Sequence, residues 1–185
     1  KQDLPFDSAQ AQIMIGQPAM KRSDPDFFSI LVGNHILGGS GLVSRLSNEV
    51  REKRGLTYSI DSYFAARQSV GEFTISLQTR PDQAQQAVDL AMQVLKDFME
   101  KGPSAEELQA AKDNLIGGFP LRIDSNRNLL SNIANMARNG LPLNYLDTWT
   151  QKVDAVTIED IRRAFAAKLQ PDKMGTVVVG GKPAQ

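Results

Sequence analysis

The sequence predicts an α+β fold, a largely antiparallel sheet of about four strands with helices packed on one face. Three observations carry that prediction. Residues 11–15, 58–66 and 71–79 alternate apolar and polar side chains with a period near two, the pattern of half-buried strands. Behind Pro81, the residues Ala84, Ala87, Val88, Ala91, Val94, Leu95 and Phe98 recur at helical spacing, so one stripe of a long helix is apolar. Glu72, Thr74, Ser76 and Gln78 occupy the outward positions of one strand, which leaves a sheet face to solvent or a cavity, as antiparallel sheets allow.

In chain order, Ala11, Ile13 and Ile15 make a first strand running up to Gly16 and Pro18. Asp24-Pro25 starts a helix, with Ser23 or Asp24 as cap, which runs to Leu37 and stops at Gly38. Tyr58 to Arg67 and Gly71 to Thr79 form a hairpin closed by Gln68, Ser69 and Val70. The long helix opened by Pro81 ends at Gly102, and Ser104 with Glu107 is a capping box for the next, which reaches Ile116. Gly117, Gly118 and Pro120 interrupt the pattern. A helix from Ser125 to Arg138 carries Leu129, Leu130, Ile133 and Met136, with Asn126, Asn128, Asn132, Asn135 and Asn139 on its exposed sides. Thr157 and Asp160 begin the last helix, and Thr176 to Val179 is a short strand.

A chain of 185 residues, 41% of them hydrophobic, buries one sizeable core, and a single domain over residues 1–185 is expected. Formal net charge is zero, so no overall field draws in nucleic acid or an anionic membrane. No apolar run approaches the roughly 20 residues that span a bilayer, so membrane insertion is not expected. The absence of Cys removes disulfides and thiolate metal sites, and Lys1 in place of Met suggests a piece processed or excised from a longer chain.

The most informative stretch runs from Leu37 to Ile60. Gly38, Gly39, Ser40 and Gly41 make a glycine turn, and a short basic helix is expected from about Gly41 to Lys53. Leu42, Leu46 and Val50 would form its buried face and Arg45, Arg51 and Arg54 would project. Gly55 ends it, and Tyr58, seven residues after Arg51, opens the next strand.

This order of turn, Ser-Arg-Leu, basic helix and Arg-Gly-Leu-x-Tyr resembles the second-domain signature of the insulinase/pitrilysin-type zinc metallopeptidases, in their processing-peptidase-like branch. The resemblance implies a metal-free, inactive C-terminal domain, half of a two-domain peptidase chain, that is no enzyme on its own. It implies that Arg51 and Tyr58 bind peptide substrate, with Gly38, Gly39, Ser40 and Gly41 as candidate loop contacts. Zinc, its histidines, the general base and the third carboxylate would come from a zinc-bearing domain of the same chain or from a heterodimer partner. A bacterial periplasm or cell envelope is favoured, with the mitochondrion as alternative. Physically, a phenol and a guanidinium are the donors wanted around a peptide carbonyl that becomes an oxyanion under attack.

His35 is the only histidine, so this chain cannot build the H-x-x-E-H face of a zinc helix. Were the helix before Gly38 the counterpart of that helix, Leu31 and Asn34 would stand at its first ligand and its base, leaving His35 alone. A packed or capping His35 is the simpler expectation. The glycine turn lacks the Gly-Lys-Ser/Thr ending of a phosphate loop. Two further readings stand beside the peptide-binding one: a non-enzymatic scaffold that keeps the peptidase fold for assembly, and an unrelated α+β ligand-binding domain.

Overall fold

The computed structural model describes residues 1–180. The last five residues of the expected domain therefore lie outside the described residues. Five strands form one mixed sheet in the order β1-β5-β2-β4-β3: β1 (Gln2–Leu4), β2 (Ala11–Pro18), β3 (Ile60–Phe64), β4 (Glu72–Thr79) and β5 (Gly175–Val179). The expected count of four is corrected to five. The extra strand, β1, is three residues long with no alternation to mark it, and it exists by pairing parallel to β5. The other three pairings are antiparallel, with Ile13 opposite Leu77 and Ile60 opposite the same Leu77.

Alternation decides the two faces. Ala11, Ile13, Ile15, Phe73, Ile75, Leu77 and Ile60 are buried against the helices, whereas Gln12, Met14, Gln78, Asp61 and Tyr63 point the other way. Helices α1 (Phe27–Asn34), α2 (Ala84–Lys101), α3 (Ala105–Gly117), α4 (Asn126–Asn139), α5 (Trp149–Asp154) and α6 (Ile158–Lys168) accompany the sheet. All seven expected stripe residues of α2 are buried, and Gly102 ends it at φ +73°. Both capping boxes form: Glu107 and Asp160 accept from the backbone N–H of Ser104 (2.7 Å) and Thr157 (3.1 Å), whose hydroxyls accept in return.

Two helical expectations are corrected. Helix α1 begins at Phe27, and Asp24 does not cap it, because Asp24 and Asp26 turn instead towards cations of α6, Lys168 (2.6 Å) and Arg163 (2.9 Å). Helix α4 buries only Met136, while Leu129, Leu130 and Ile133 are exposed. Its asparagines explain the orientation. The Asn132 amide donates to the Arg122 carbonyl (2.8 Å) and to the Asn128 carbonyl (2.9 Å), and Asn128 donates to Asp124 (2.8 Å), so the amide side is tied to the preceding turn. Helix α5 has no counterpart in the sequence reading. Its six residues are held by Trp149 and Val153, both buried, and are too short to show a period.

Candidate functional site

The glycine turn is fastened to β3. After α1 the chain winds wider, as a π-helical segment over His35–Gly39, and Gly38 lies so close to the strand that a Cβ there would stand 2.4 Å from the Ser62 hydroxyl oxygen and 2.5 Å from its backbone nitrogen. Asn34 donates to the Ser62 carbonyl (3.0 Å) and accepts from the Ser62 hydroxyl (2.7 Å). The outer edge of β3 is thus covered at its centre, and a peptide strand has no free edge to add to there.

Gly41, at φ +66°, opens a single 3-10 turn over Gly41–Val43, and the extended Ser44 (ψ 157°) separates that turn from the helix proper. This overturns the expected buried position of Leu42, which is 63% exposed, with Val43 beside it at 85%. Leu46 and Val50 are buried as expected, and the helix finishes as a π-helical run over Ser47–Glu52. Gly55 closes it at φ +63° through its N–H bond to the Arg51 carbonyl (2.8 Å).

The three arginines of this helix have different tasks. Arg45 grips Glu107 with two nitrogens (2.6 and 2.5 Å), bonds the Gly102 carbonyl (3.0 Å) and lies over the Phe98 ring. It joins the helix to the α2–α3 junction. Burial alone would raise the Glu107 pKa, but the Arg45 fork and the Ser104 N–H outweigh it and hold the carboxyl below the usual range. Among the described residues Arg51 has only its sequence neighbour Glu52 (2.6 Å) as an ionic partner. Arg54 is exposed.

Tyr58 precedes β3 rather than opening it. Leu56 and Thr57 are buried, the Thr57 hydroxyl lies 2.5 Å from the Gln78 carbonyl, and the next side chain is turned outward, leaving Tyr58 84% exposed. Arg51 and Tyr58 wall one groove of about 360 Å³, together with Gln10, Gln78, Arg80 and Gln83. From Tyr58 a second depression of about 420 Å³ continues over the open sheet face, past Gln12, Met14, Asp61 and Val177. Burial pushes the Asp61 carboxyl up. Sequence reasoning did not include Arg80, which brings a second guanidinium to the groove. Its signal was its place at the end of the outward-alternating strand β4, beside Pro81.

The glycine turn does not line this groove. Zinc finds no counterpart here either. Leu31 is apolar, Asn34 is committed to Ser62, and His35 is half-buried against Asn114. Among the described residues no three His, Asp or Glu side chains gather to hold a metal. Burial lowers the His35 pKa from its ordinary 6.5, Arg122 adds to the lowering, and the bond with Asn114 opposes it. As pH falls, the unfolded chain therefore takes up a proton on His35 before the folded one does. Stability from this group is full above about pH 6.5 and declines below it until the lower folded value is passed. The urea midpoint of the wild type is expected to fall between about pH 7 and about pH 5, and His35→Gln is expected to flatten that decline.

Residues 3–115 match the model of the peptidase M16 inactive domain. A protein of Helicobacter pylori called non-peptidase homolog YmxG is 31% identical over 95% of this chain and 41% of its own length. The chloroplastic stromal processing peptidase of Pisum sativum is 32% identical over 78% of this chain and 12% of its own. The crystal structure of a peptidase M16 inactive domain from Pseudomonas fluorescens superposes with a TM-score of 0.93 at 36% identity, over all of this chain and 43% of that one. The chain spans about two fifths or less of the length of the first curated relatives it matches.

Proposed function

Since the chain belongs to the peptidase M16 family as an inactive domain, the insulinase/pitrilysin-type group its signature resembles, we propose that it closes a proteolytic chamber and holds an extended polypeptide opposite a zinc-bearing domain or subunit. The observation that carries this reading is the shared groove of Arg51 and Tyr58, which opens onto an uncovered sheet face. The groove offers to peptide carbonyls a phenol and those N–H donors of two guanidiniums that their pairs with Glu52 and Asp82 leave over. Such donors stabilise charge that develops on a carbonyl oxygen during attack, and the partner's metal would supply the attacking hydroxide. With the β3 edge covered at Ser62, the peptide is held by side chains of the groove and of the open face.

The test is cleavage of an unstructured polypeptide by this chain combined with the zinc-bearing domain of its own longer protein, or with the separate subunit that carries it. Arg51→Ala and Tyr58→Phe are each expected to lower kcat/KM at least about tenfold, about 1.4 kcal/mol of transition-state stabilisation, with unchanged thermal melting. Equal cleavage by both variants would show that neither side chain touches substrate.

A scaffold role is the second reading, favoured by one observation. The Helicobacter pylori relative, matched over 95% of this chain, carries the name of a non-peptidase. On that reading the combined proteins assemble but show no cleavage that responds to Arg51 or Tyr58.

A further inference from the structure

On the other flank of the glycine turn lies a separate cavity of about 400 Å³, bounded by α1, the outer flank of β3, α4 and the segment leading into α5. Its wall is aromatic. Phe119 stacks flat on Trp149 (centroids 4.8 Å apart, 11° between planes), and Phe27, Tyr63, Phe64 and Tyr145 also line it. A wall of this kind accepts a large apolar or aromatic group.

Two arginines are positioned over these rings. The Arg22 guanidinium carbon stands 3.5 Å from the Phe27 centroid, and the same group donates to the Tyr145 hydroxyl. The Arg122 guanidinium carbon stands 5.5 Å from the Trp149 centroid. Contact with the Phe27 ring and the bond to Tyr145 hold the Arg22 fork before any ligand arrives. Among the described residues Arg22, Arg54, Arg122, Arg127 and Arg138 meet no carboxylate, and of these Arg22 and Arg122 line the cavity. The Arg122 charge is felt inside the fold, where it reinforces the lowering of His35 by burial. On the α4 side, Asn135 lines the cavity, and its amide nitrogen has no partner among the described residues.

We propose that this cavity is a binding site for the C-terminal residue of a polypeptide, with its carboxylate between Arg22 and Arg122 and a large apolar or aromatic side chain against Phe119 and Trp149. The pairing of forks with rings decides the class of ligand. A free inorganic anion would use the guanidiniums and leave the rings bare, and an apolar side chain without a carboxylate would leave the half-buried Arg22 and the exposed Arg122 without an anionic partner. An acidic side chain inside a polypeptide offers the carboxylate without the ring. The site is distinct from the Arg51–Tyr58 groove and needs no peptidase partner, so its failure leaves the chamber reading untouched.

Trp149 is the only tryptophan, so its emission reports binding directly. Titrating the 185-residue chain with acetyl-Gly-Gly-Phe as free acid should give a saturable change in that emission. The C-terminal amide of the same peptide should bind at least tenfold more weakly, and so should acetyl-Gly-Glu-Gly-amide. Arg122→Gln, at an exposed position, should weaken the free acid at least tenfold and leave the amide unchanged. Arg127→Gln, on the α4 surface, should change neither. Equal binding of free acid and amide overturns the proposal. So does equal binding of the glutamyl peptide, an absence of saturation with the free acid, or an Arg122→Gln variant that melts like wild type and binds like it.

Discussion

Replacing Phe165 by alanine is expected to lower the unfolding free energy by about 3–5 kcal/mol, a large part of what a domain of this size has. The ring is fully buried on α6 and packs edge-on against Phe98 of α2 (5.1 Å) and Phe64 of β3 (5.7 Å). It also fills the space that Gly33 leaves on α1, where a Cβ would come within 2.5 Å of it. Three elements beside α6 therefore rest on one side chain, and removing it leaves a cavity that none can fill without moving against the others. Urea denaturation at neutral pH checks this: the midpoint should drop steeply at constant slope. A loss below about 1.5 kcal/mol would mean that the four elements collapse around the gap and are less rigidly joined than the contacts imply.

That junction also shows what was legible before the structure. Strands β2 and β4 and helix α2 were readable because their apolar periods are long and uninterrupted, and both capping boxes because they are local chemistry between residues three apart. Strand β1 and helix α5 were not readable, since each is too short for a period and is held by remote partners. Helix α4 misled for a different reason. Its apolar side chains promised a buried stripe, but the asparagine amides bond backbone of the preceding turn and leave the leucines outside. Within the signature, Arg51 and Tyr58 were singled out and the structure brings them to one groove. Arg45, equal to Arg51 by residue type, proves to be a tie to Glu107, sixty-two positions away. Arg80 reaches the groove because β4 lies next to β3, the hairpin that the alternation predicts, and only the register of that pairing sets its end beside Tyr58.

The glycine turn divides into two physically different glycines, and a substitution at each separates them. Gly38→Val is expected to cost about 3 kcal/mol, the upper end of overpacking. Its first new carbon would meet the Ser62 backbone nitrogen at 2.5 Å and Leu46 at 2.9 Å, and a backbone atom in a paired strand cannot swing aside as a side-chain end can. Gly41→Ala should cost about 1–2 kcal/mol, through left-handed strain alone, since nothing lies within 4 Å of the new carbon at φ +66°. Their functional consequences should differ as well. Gly38 holds the π-helical segment against β3, so its substitution should reduce stability and, on the proposed chamber reading, also reduce cleavage by this chain combined with a zinc-bearing partner. Gly41 sits on an exposed turn outside the groove, so its substitution should leave cleavage near wild type if Arg51 and Tyr58 carry the contact. Melting curves and cleavage rates on the two variants decide the point. A Gly41→Ala protein that folds well but loses cleavage would move the substrate contact from the Arg51–Tyr58 groove to the glycine turn itself.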